Sequence, residues 1–531
     1  MKYRTLFCIL LVLAALLGLA LRVADLEARP MHNDEANQAV RCGTLLTEGA
    51  YTYDPVEYHG PTLYYLSLPP VWLTAGRDFA ETSEATFRLL PVVFGVGVIL
   101  LFGLVADGTG RPAAVCGAVF AAVSPAMVYY SRFYIQEMLL VFFSFGIVAA
   151  GWRWLRTGKP GWALLAGFFV GMAHATKETC VIAFAAIAVA AGAARCWVSG
   201  VGSRREGSDG PSRVFVQACG AGLLAIIVSV VLFSSFFTNW SGPVDSIRTY
   251  ANYFRKAGAE SVHLHPWHYY LKMLAFSRYG RGPVWTEGFI VVLALVGLGS
   301  ALRLTLNGRA RSERPLSINL RADPGFVVFM GVYTVFMTVV YSAIPYKTPW
   351  CMLSFLQGMI VMAGIGAAVL ITTPKRIWAR VVVAVLLVPP AVHLGVQAYD
   401  GAVTFGADSR NPYVYSQTGT DYLKLVRRVE EIADVSPEGY ETFIQVIAHP
   451  HNMWPLPWDL RRFTRVGYWT GLEDVPEVPD VPIVISSPEM ADGLTKRLGS
   501  GYVVEFYGLR PDVLLNVYIR RDLWEAFLQT R

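Results

Sequence analysis

The chain has 531 residues, of which 54% are hydrophobic and only 16% are charged, with a net charge of +6. Because soluble globular proteins carry about 25% charged residues, this composition excludes that class and predicts a membrane protein with many spans. The modest net charge gives no indication of nucleic-acid binding. The seven cysteines contain no CxxC pair, so neither a disulfide framework nor a zinc site is predicted.

Eleven apolar segments are predicted to cross the membrane, which takes about 20 residues. In chain order they cover residues 5–24, 87–106, 112–130, 134–153, 161–177, 179–197, 214–236, 285–304, 324–343, 349–372 and 377–397. The first is interpreted as a retained helix, because no small-residue cleavage site of a signal peptide follows it. Residues 60–76 are also apolar but contain Pro69-Pro70, so we expect an interfacial or re-entrant segment there.

Basic residues in the short loops predict the orientation. Loops on the side of the N-terminus hold eighteen Lys and Arg residues, whereas the short loops on the other side hold only Arg132, Lys177 and Lys347. This asymmetry predicts a multi-pass protein of the cytoplasmic (inner) membrane with its N-terminus inside. Two long outer loops, residues 25–86 and 238–284, carry aromatic and amphipathic stretches that predict interfacial helices.

The composition becomes that of a soluble protein after Tyr399. Apolar residues at helical spacing predict a helix over residues 421–432, and residues 522–529 are predicted to close the chain as another helix. Between them, β-rich runs lie at residues 442–448, 482–486, 502–506 and 513–519. We therefore expect a transmembrane domain over residues 1–398 and a small extracytoplasmic α/β domain over residues 399–531.

Four groups of polar residues fall on the predicted outer side, where ionisable residues at helix ends are candidates for function. They are His32, Asp34 and Glu35; Tyr58 to Pro61, with His59; Ser131 to Glu137, with Arg132; and His174, Lys177 and Glu178 together with Lys347 in the segment Pro345 to Trp350. The cytoplasmic loops, by contrast, hold almost only basic residues. This difference places the predicted chemistry on the outer side.

Each group also has a purely structural interpretation, and these alternatives are open at the level of sequence. Asp34-Glu35 could cap a helix, and His59 could be a turn residue. Arg132 could form an ion pair with Glu137. Lys177 could extend its amine to the membrane surface or pair with Glu178, and Lys347 could anchor the chain at the interface. The occurrence of all four groups on one side favours function.

Acids and cations together at the outer interface fit the transfer of a sugar from a polyprenyl phosphate. The acceptor hydroxyl needs a general base, and a carboxylate is suitable. The departing lipid phosphate gathers negative charge, which Lys, Arg or a metal ion can stabilise. The isoprenoid tail needs a groove that faces lipid, and the acceptor needs an aqueous route.

The sequence resembles the GT-C superfamily of integral-membrane glycosyltransferases, including family 39 and the protein O-mannosyltransferases, in three ordered motifs. These are His32-Asn33-Asp34-Glu35, His59-Gly60-Pro61-Thr62-Leu63-Tyr64-Tyr65, and Ser131-Arg132-Phe133-Tyr134 with Glu137. It is similar to the prokaryotic flippase-activity-associated branch at Tyr58-His59-Gly60-Pro61, Tyr129 to Tyr134, Ala175 to Thr179, Tyr346 to Trp350 and Trp454 to Phe463. The resemblance implies a mainly α, GT-C-type helix bundle with Asp34 as the presumed base. Related aminoarabinose transferases carry Lys-Pro-Pro where this chain has His59-Gly60-Pro61, so no phosphate role transfers to a Lys there.

The residues and the resemblance together predict a site. We expect catalytic roles for Asp34, Glu35 and Glu137, and substrate binding by His59, Tyr64, Arg132, Tyr134, Lys177, Glu178 and Lys347. No cofactor is certain, and His32, Asp34 and Glu137 are the candidate ligands for a divalent cation, Mg²⁺ or Mn²⁺. The expected partners are the bilayer, a lipid-linked sugar donor and a glycan, lipid or protein acceptor.

The expected reaction is an inverting transfer to a hydroxyl group, because one displacement with one base needs no covalent intermediate. The alternative is a non-catalytic flippase or transport accessory that binds a lipid-linked sugar. A transporter is expected to place ionisable groups near the bilayer midplane on broken helices. Here the charges lie at one end of the predicted spans, which favours the enzyme.

Overall fold

The computed structural model describes residues 2–56, 59–200, 211–256, 263–306, 322–476 and 480–531, so the predicted motif residue Tyr58 lies outside the described residues. Helices dominate the chain as far as residue 399. In order they are α1 (Lys2–Val23), α2 (Asn33–Glu48), α3 (Thr62–Ala75), α4 (Glu84–Leu101), α5 (Ala106–Thr109), α6 (Arg111–Val123), α7 (Pro125–Tyr130), α8 (Glu137–Thr157), α9 (Pro160–His174), α10 (Cys180–Gly200), α11 (Pro211–Phe233), α12 (Gly242–Lys256), α13 (Tyr269–Ala275), α14 (Gly288–Leu306), α15 (Pro324–Ala343), α16 (Leu353–Thr372), α17 (Ile377–Leu386) and α18 (Val388–Tyr399).

Within the described residues, nine helical stretches are long and apolar enough to cross a membrane. They are α1, α4, α8, α10, α11, α14, α15, α16 with the turn before it, and α17 with α18. The prediction of a multi-pass membrane protein is thus confirmed. The two other predicted spans coincide with α6 and α9, which have only 13 and 15 residues, so the count of eleven spans stays a prediction. Pro125 contributes to the shortness of α6, because proline cannot continue a helix.

Close helix packing in the bundle depends on small residues. A Cβ atom added to Gly297 of α14 would lie 2.1 Å from the carbonyl oxygen of Met362 in α16. A Cβ added to Gly366 of α16 would lie 2.0 Å from the carbonyl oxygen of Leu293 in α14. Only glycine allows these two backbones to approach so closely, as is common between membrane helices.

The two long loops contain helices, as predicted. Helices α2 and α3 lie between α1 and α4, and helices α12 and α13 lie between α11 and α14. Residues 60–76 were expected to be broken at Pro69-Pro70, but α3 continues through both prolines.

A five-stranded sheet follows the helical bundle. Its strands are β1 (Ile444–Ile447), β2 (Val466–Trp469), β3 (Ile483–Ser486), β4 (Tyr502–Arg510) and β5 (Val513–Arg520), in the order β2-β1-β3-β5-β4. Strand β1 is parallel to β2 and β3, whereas β5 is antiparallel to β3 and β4. The helices of this part are α19 (Tyr422–Val435), α20 (Pro450–Met453), α21 (Leu456–Asp459), α22 (Ala491–Leu498) and α23 (Arg521–Leu528). The sequence predicted four of the strands but not β2, an edge strand that is only half-buried.

The sheet is attached to the end of the bundle that carries the first loop. Trp458 of α21 donates a hydrogen bond from Nε1 to Oε1 of Glu84, at 3.0 Å. Its ring packs against Phe79 and Phe87, with centroid distances of 5.8 and 5.5 Å. We name residues 411–418, which connect the bundle to α19, the strap. The strap crosses the same end of the bundle, where the Tyr130 hydroxyl donates to the carbonyl oxygen of Tyr413 at 2.8 Å.

Candidate active site

The acidic pair lies at the start of α2. His32 is the N-cap: its Nδ1 accepts a hydrogen bond from the backbone N–H of Asp34 at 3.0 Å. In turn, the Glu35 carboxylate accepts a hydrogen bond from the backbone N–H of His32 at 3.1 Å. This reciprocal arrangement is a capping box, here with histidine as the cap. The helix-cap interpretation of the pair is therefore correct for Glu35.

Glu35 is fully buried and held by two arginines. Arg88 binds it with two groups, Nε at 2.9 Å and Nη2 at 2.9 Å, and Arg29 donates from Nη2 at 3.0 Å. The backbone N–H of Tyr134 adds a bond of 3.0 Å. Burial alone would raise the pKa of Glu35, but the positive charges of Arg29 and Arg88 outweigh it and lower the pKa to about 2. Glu35 is thus an anion that organises the first loop, and its geometry suits support of a base rather than proton transfer.

Arg88 and Arg29 were not predicted as site residues. Besides Glu35, Arg88 donates from Nη1 to the carbonyl oxygens of Leu26 and Arg29, at 2.6 and 2.8 Å. One signal could have found it, because Arg88 lies in the predicted span 87–106, and an ionisable residue in such a span is a candidate for function by default. Arg29 carried no comparable signal, since it lies in a polar loop.

Asp34 has the opposite environment to that of Glu35. Its side chain is 44% exposed, and its carboxylate lies 3.9 Å from Nδ1 of His32. His32 donates from Nε2 to the carbonyl oxygen of Tyr415 at 2.9 Å, which leaves Nδ1 as the acceptor for the helix cap. Burial lowers the pKa of His32, so its ring is neutral near pH 7 and does not neutralise Asp34. An accessible carboxylate on a fixed backbone is suited to accept a proton.

His59 and Glu178 form a second polar contact at this end of the bundle. His59 is 28% exposed in its side chain, and its Nδ1 lies 2.7 Å from Oε2 of Glu178. Tyr53 donates to Oε1 of the same carboxylate at 3.3 Å. The loop that carries His59 is fixed by Thr62, whose backbone N–H and hydroxyl both donate to the carbonyl oxygen of Ala175. Burial would raise the pKa of Glu178, but His59 outweighs it and lowers the pKa.

Lys177 and Glu137 form a buried ion pair. Burial would lower the pKa of Lys177, but the Glu137 carboxylate outweighs it and raises the pKa. The structure therefore differs from two structural alternatives: Glu137 pairs with Lys177 rather than Arg132, and Lys177 does not snorkel. The pair joins α8 to the loop between α9 and α10, a contact between residues 40 positions apart.

Tyr64 and Tyr134 lie behind the exposed residues rather than among them. Both side chains are fully buried. The Tyr64 hydroxyl donates to the amide oxygen of Gln38, and the hydroxyl groups of Tyr134 and Ser67 are 2.6 Å apart. These tyrosines are placed to hold the site together, and direct substrate contact by them stays a prediction.

Arg132 and Lys347 are also buried, with different degrees of hydrogen bonding. Arg132 donates from Nη2 to the carbonyl oxygen of Asp25 at 2.8 Å, whereas its buried Nη1 has no hydrogen-bond partner among the described residues. Burial, followed by the positive charges of Arg29 and Arg88, lowers the pKa of Arg132 to about 10. The amine of Lys347 donates to the carbonyl oxygen of Ile344. A buried guanidinium nitrogen without a partner is unusual, and an anionic ligand would satisfy it.

The candidate metal ligands do not converge. Glu137 is bound to Lys177, and both ring nitrogens of His32 are engaged with backbone groups. No group of three His, Cys, Asp or Glu residues suited to a metal ion occurs in the ranges that the structure describes. His32, Asp34 and Glu137 therefore do not fit a shared Mg²⁺ or Mn²⁺ ion.

The strap contributes residues that the sequence did not indicate. Gln417 accepts from Nη1 of Arg29 at 2.9 Å and donates to the carbonyl oxygen of Pro30 at 2.9 Å. Tyr415 binds His32 through its carbonyl oxygen and binds Nδ1 of His263 through its hydroxyl at 2.5 Å. The strap thus ties the first and second long loops together next to Asp34.

Solved structures share this architecture over nearly the whole chain. ArnT from Cupriavidus metallidurans in the apo state matches with a TM-score of 0.59 and 15% sequence identity, over 97% of this chain and 98% of that chain. The chain has the GT-C fold.

Two further structures with the GT-C fold contain a lipid phosphate. ArnT from Cupriavidus metallidurans bound to undecaprenyl phosphate matches with a TM-score of 0.57 and 14% identity, over 95% of this chain and 97% of that chain. The oligosaccharyltransferase AglB from Archaeoglobus fulgidus, in complex with an inhibitory peptide and a dolichol-phosphate, gives a TM-score of 0.57 and 14% identity, over 95% of this chain and 73% of that chain. The similarity of this chain to each of these two structures is a similarity of fold.

Sequence comparison adds a local match. The family model for dolichyl-phosphate-mannose-protein mannosyltransferases matches residues 72–201, which include Arg88, Arg132, Glu137 and Lys177. No curated protein sequence matches the chain. The flippase-activity-associated branch stays a prediction.

Proposed function

We propose that this GT-C protein is a glycosyltransferase that moves a sugar from a polyprenyl phosphate to an acceptor hydroxyl at the outer face of the cytoplasmic membrane. The observation that carries the proposal is the exposed carboxylate of Asp34, held at the start of α2 by the buried network around Glu35. The lipid phosphates bound to ArnT and AglB support the class of donor. The eighteen-to-three distribution of basic residues supports the orientation.

In the proposed reaction, Asp34 accepts the proton of the acceptor hydroxyl as the oxygen attacks the anomeric carbon. The bond between that carbon and the phosphate oxygen breaks, and polyprenyl phosphate leaves with the bonding electrons. A single displacement inverts the anomeric configuration. Glu35 and its arginines keep the backbone of Asp34 in place, because a base must be positioned before its proton affinity matters.

The departing phosphate requires positive charge. Arg132, Lys177 and Lys347 are the proposed sources, and Arg132 is the best suited because its buried Nη1 has no partner in the described part of the chain. Lys177 is compensated by Glu137, so its net contribution is smaller. His59, fixed by Glu178, is a further proposed contact to the donor.

Replacing Asp34 by asparagine tests the base. Asp34→Asn preserves the size of the side chain but removes its proton affinity, so we expect the turnover rate to fall by about 10²–10⁴-fold. The measurement is release of polyprenyl phosphate from radiolabelled polyprenyl-phosphate sugars by purified protein with envelope acceptors. Glu27→Gln, which alters an exposed acid of the same loop, is the matched control and should keep its turnover rate. Near wild-type turnover of Asp34→Asn would show that Asp34 is structural.

The second candidate function is binding of a lipid-linked sugar without its cleavage. The observation that favours it is the buried pair of Lys177 with Glu137, because a charge already paired with Glu137 stabilises a developing phosphate charge less. The same assay separates the two candidates. Saturable donor binding without release of polyprenyl phosphate, from any donor and with any acceptor, would establish the accessory role instead.

A further inference from the structure

A row of aromatic rings borders Asp34. His263 lies between Tyr346 and Tyr415, with ring centroids 5.0 and 5.6 Å away. Beyond Tyr415 the row continues to Trp350 at 5.9 Å and from Trp350 to His32, the cap of Asp34, also at 5.9 Å. Of these residues, only His32 belongs to the predicted site.

The outer end of this row is held by backbone hydrogen bonds and is accessible. The segments around Leu264 and Tyr346 pair as antiparallel backbone: the N–H of His265 donates to Pro345 at 3.0 Å, and the N–H of Lys347 donates to His263 at 2.9 Å. Tyr346 is nevertheless 46% exposed. A fixed backbone that presents an exposed ring lowers the entropy that is lost when a ligand binds.

Asp34 acts electrostatically on the same rings. Burial, and then the negative charge of Asp34, raise the pKa of the Tyr346 hydroxyl. Burial lowers the pKa of His263, and the Asp34 carboxylate opposes that shift. Geometry gives the link to the proposed base: the Tyr415 hydroxyl bonds Nδ1 of His263 at 2.5 Å, and the Tyr415 carbonyl oxygen bonds His32, the cap next to Asp34, at 2.9 Å.

We propose that the exposed ring of Tyr346, which His263 meets at an interplanar angle of 62°, forms a platform that stacks on a pyranose ring and presents it to Asp34. A pyranose has an apolar face of C–H groups, which suits a flat aromatic ring, and a rim of hydroxyl groups, which suits the hydroxyl, imidazole and carboxylate groups here. This proposal rests on the proposed function, since it assigns the sugar-binding part of that site.

A membrane anchor is the other interpretation of Tyr346-Lys347, and the structure argues against it. An anchoring lysine extends its amine to the lipid headgroups. Lys347 is instead buried and donates to the carbonyl oxygen of Ile344. The segment is folded back onto the protein, with Tyr346 presented beside it.

Two variants of Tyr346 test the platform by binding, independently of turnover. Tyr346→Ala removes the ring, and Tyr346→Phe keeps it. Purified protein in nanodiscs is titrated with undecaprenyl phosphate and with undecaprenyl-phosphate mannose, glucose and galactose. We expect the alanine variant to bind the best sugar-bearing lipid about 3–10-fold more weakly. Binding of undecaprenyl phosphate itself should not change, and the phenylalanine variant should bind like the wild type.

The matched control is Tyr279→Ala, because Tyr279 is 47% exposed and lies in the same long loop as His263 but outside the row of rings. A second measurement, the KM of Tyr346→Ala for the acceptor, distinguishes the donor's sugar ring from the acceptor's sugar ring. If donor binding is unchanged and the KM rises for glycan acceptors but not for peptide acceptors, the acceptor sugar lies on the platform. Equal behaviour of Tyr346→Ala and Tyr279→Ala in both measurements would overturn the platform. The proposed function would then still stand if the wild type releases polyprenyl phosphate.

Discussion

The two ends of the helical bundle use charged residues in different ways. At the Asp34 end, Glu35 with Arg29 and Arg88, and Lys177 with Glu137, have side chains that are at most 8% exposed. At the opposite end, Asp107 contacts Arg153 at 3.0 Å and Arg156 at 3.6 Å, with side chains that are 29–40% exposed. Buried ions must be compensated by neighbouring groups, whereas exposed ions are compensated by water. The difference shows that one end is built to hold a fixed geometry and the other end is ordinary solvated surface.

The largest effect in this comparison is expected at Glu35. Glu35→Gln leaves two buried guanidinium groups without their carboxylate, so we expect a loss of about 3–5 kcal/mol in the free energy of unfolding. Thermal unfolding of the purified protein, beside the Glu27→Gln control, measures it. Folding lowers the pKa of Glu35, so the stabilisation that its ionised carboxylate gives to the folded protein is present above the ordinary pKa of 4.5. This stabilisation is lost as the pH falls toward 2. A variant as stable as the control at pH 7 would contradict the buried-network interpretation.

The acidic pair illustrates what sequence could and could not show. The motif with Asp34 and Glu35 was recognisable, as were the apolar spans and four of the five strands, because local composition and spacing determine them. The resemblance implied a base at Asp34 with support from Glu35, but the buried ion network that holds Glu35 was not recognisable, since it depends on Arg88 from another helix. The structural alternatives paired Glu137 with Arg132 and Lys177 with Glu178, and the pair of Lys177 with Glu137 was not considered, because nothing in a sequence indicates that these distant residues will meet.

A pH-dependent effect is expected where the sheet contacts the bundle. Burial, followed by the nearby negative charge of Glu84, raises the pKa of Asp459 to about 7. The unfolded chain therefore ionises first, and the wild type loses stability as the pH rises from about 4 to 7. Asp459→Asn should remove this loss, so its stability relative to the wild type should increase by about 3–4 kcal/mol between pH 4 and pH 8.

Unfolding measured at both pH values tests this prediction. Asp512→Asn, which alters an exposed acid in the turn between β4 and β5, is the control and should show no such trend. A stability difference for Asp459→Asn that is the same at pH 4 and pH 8 would contradict the assignment. This result would also show whether burial that Arg461 offsets only in part behaves differently from burial in the Glu35 network.

The smallest effect is expected at the opposite end of the bundle. Asp107→Asn keeps an acceptor for Nε1 of Trp152, which now lies 2.8 Å from Oδ1, and removes only partly exposed ion pairs. We expect a change of at most about 1 kcal/mol in the free energy of unfolding and an unchanged rate of sugar transfer. A loss as large as that of Glu35→Gln would remove the distinction between the two ends.

The strap has a consequence for biosynthesis. The bonds from His32 to Tyr415 and from Arg29 to Gln417 join residues that are 383 and 388 positions apart. A ribosome makes the first loop long before it makes the strap, since chains grow from the N-terminus at about 5–20 residues per second. For roughly 20 seconds or more the first loop lacks these partners while the helices between them are inserted. The site is therefore among the last parts of the molecule to be completed, and a nascent chain that stops before residue 413 contains every predicted catalytic residue without its final geometry.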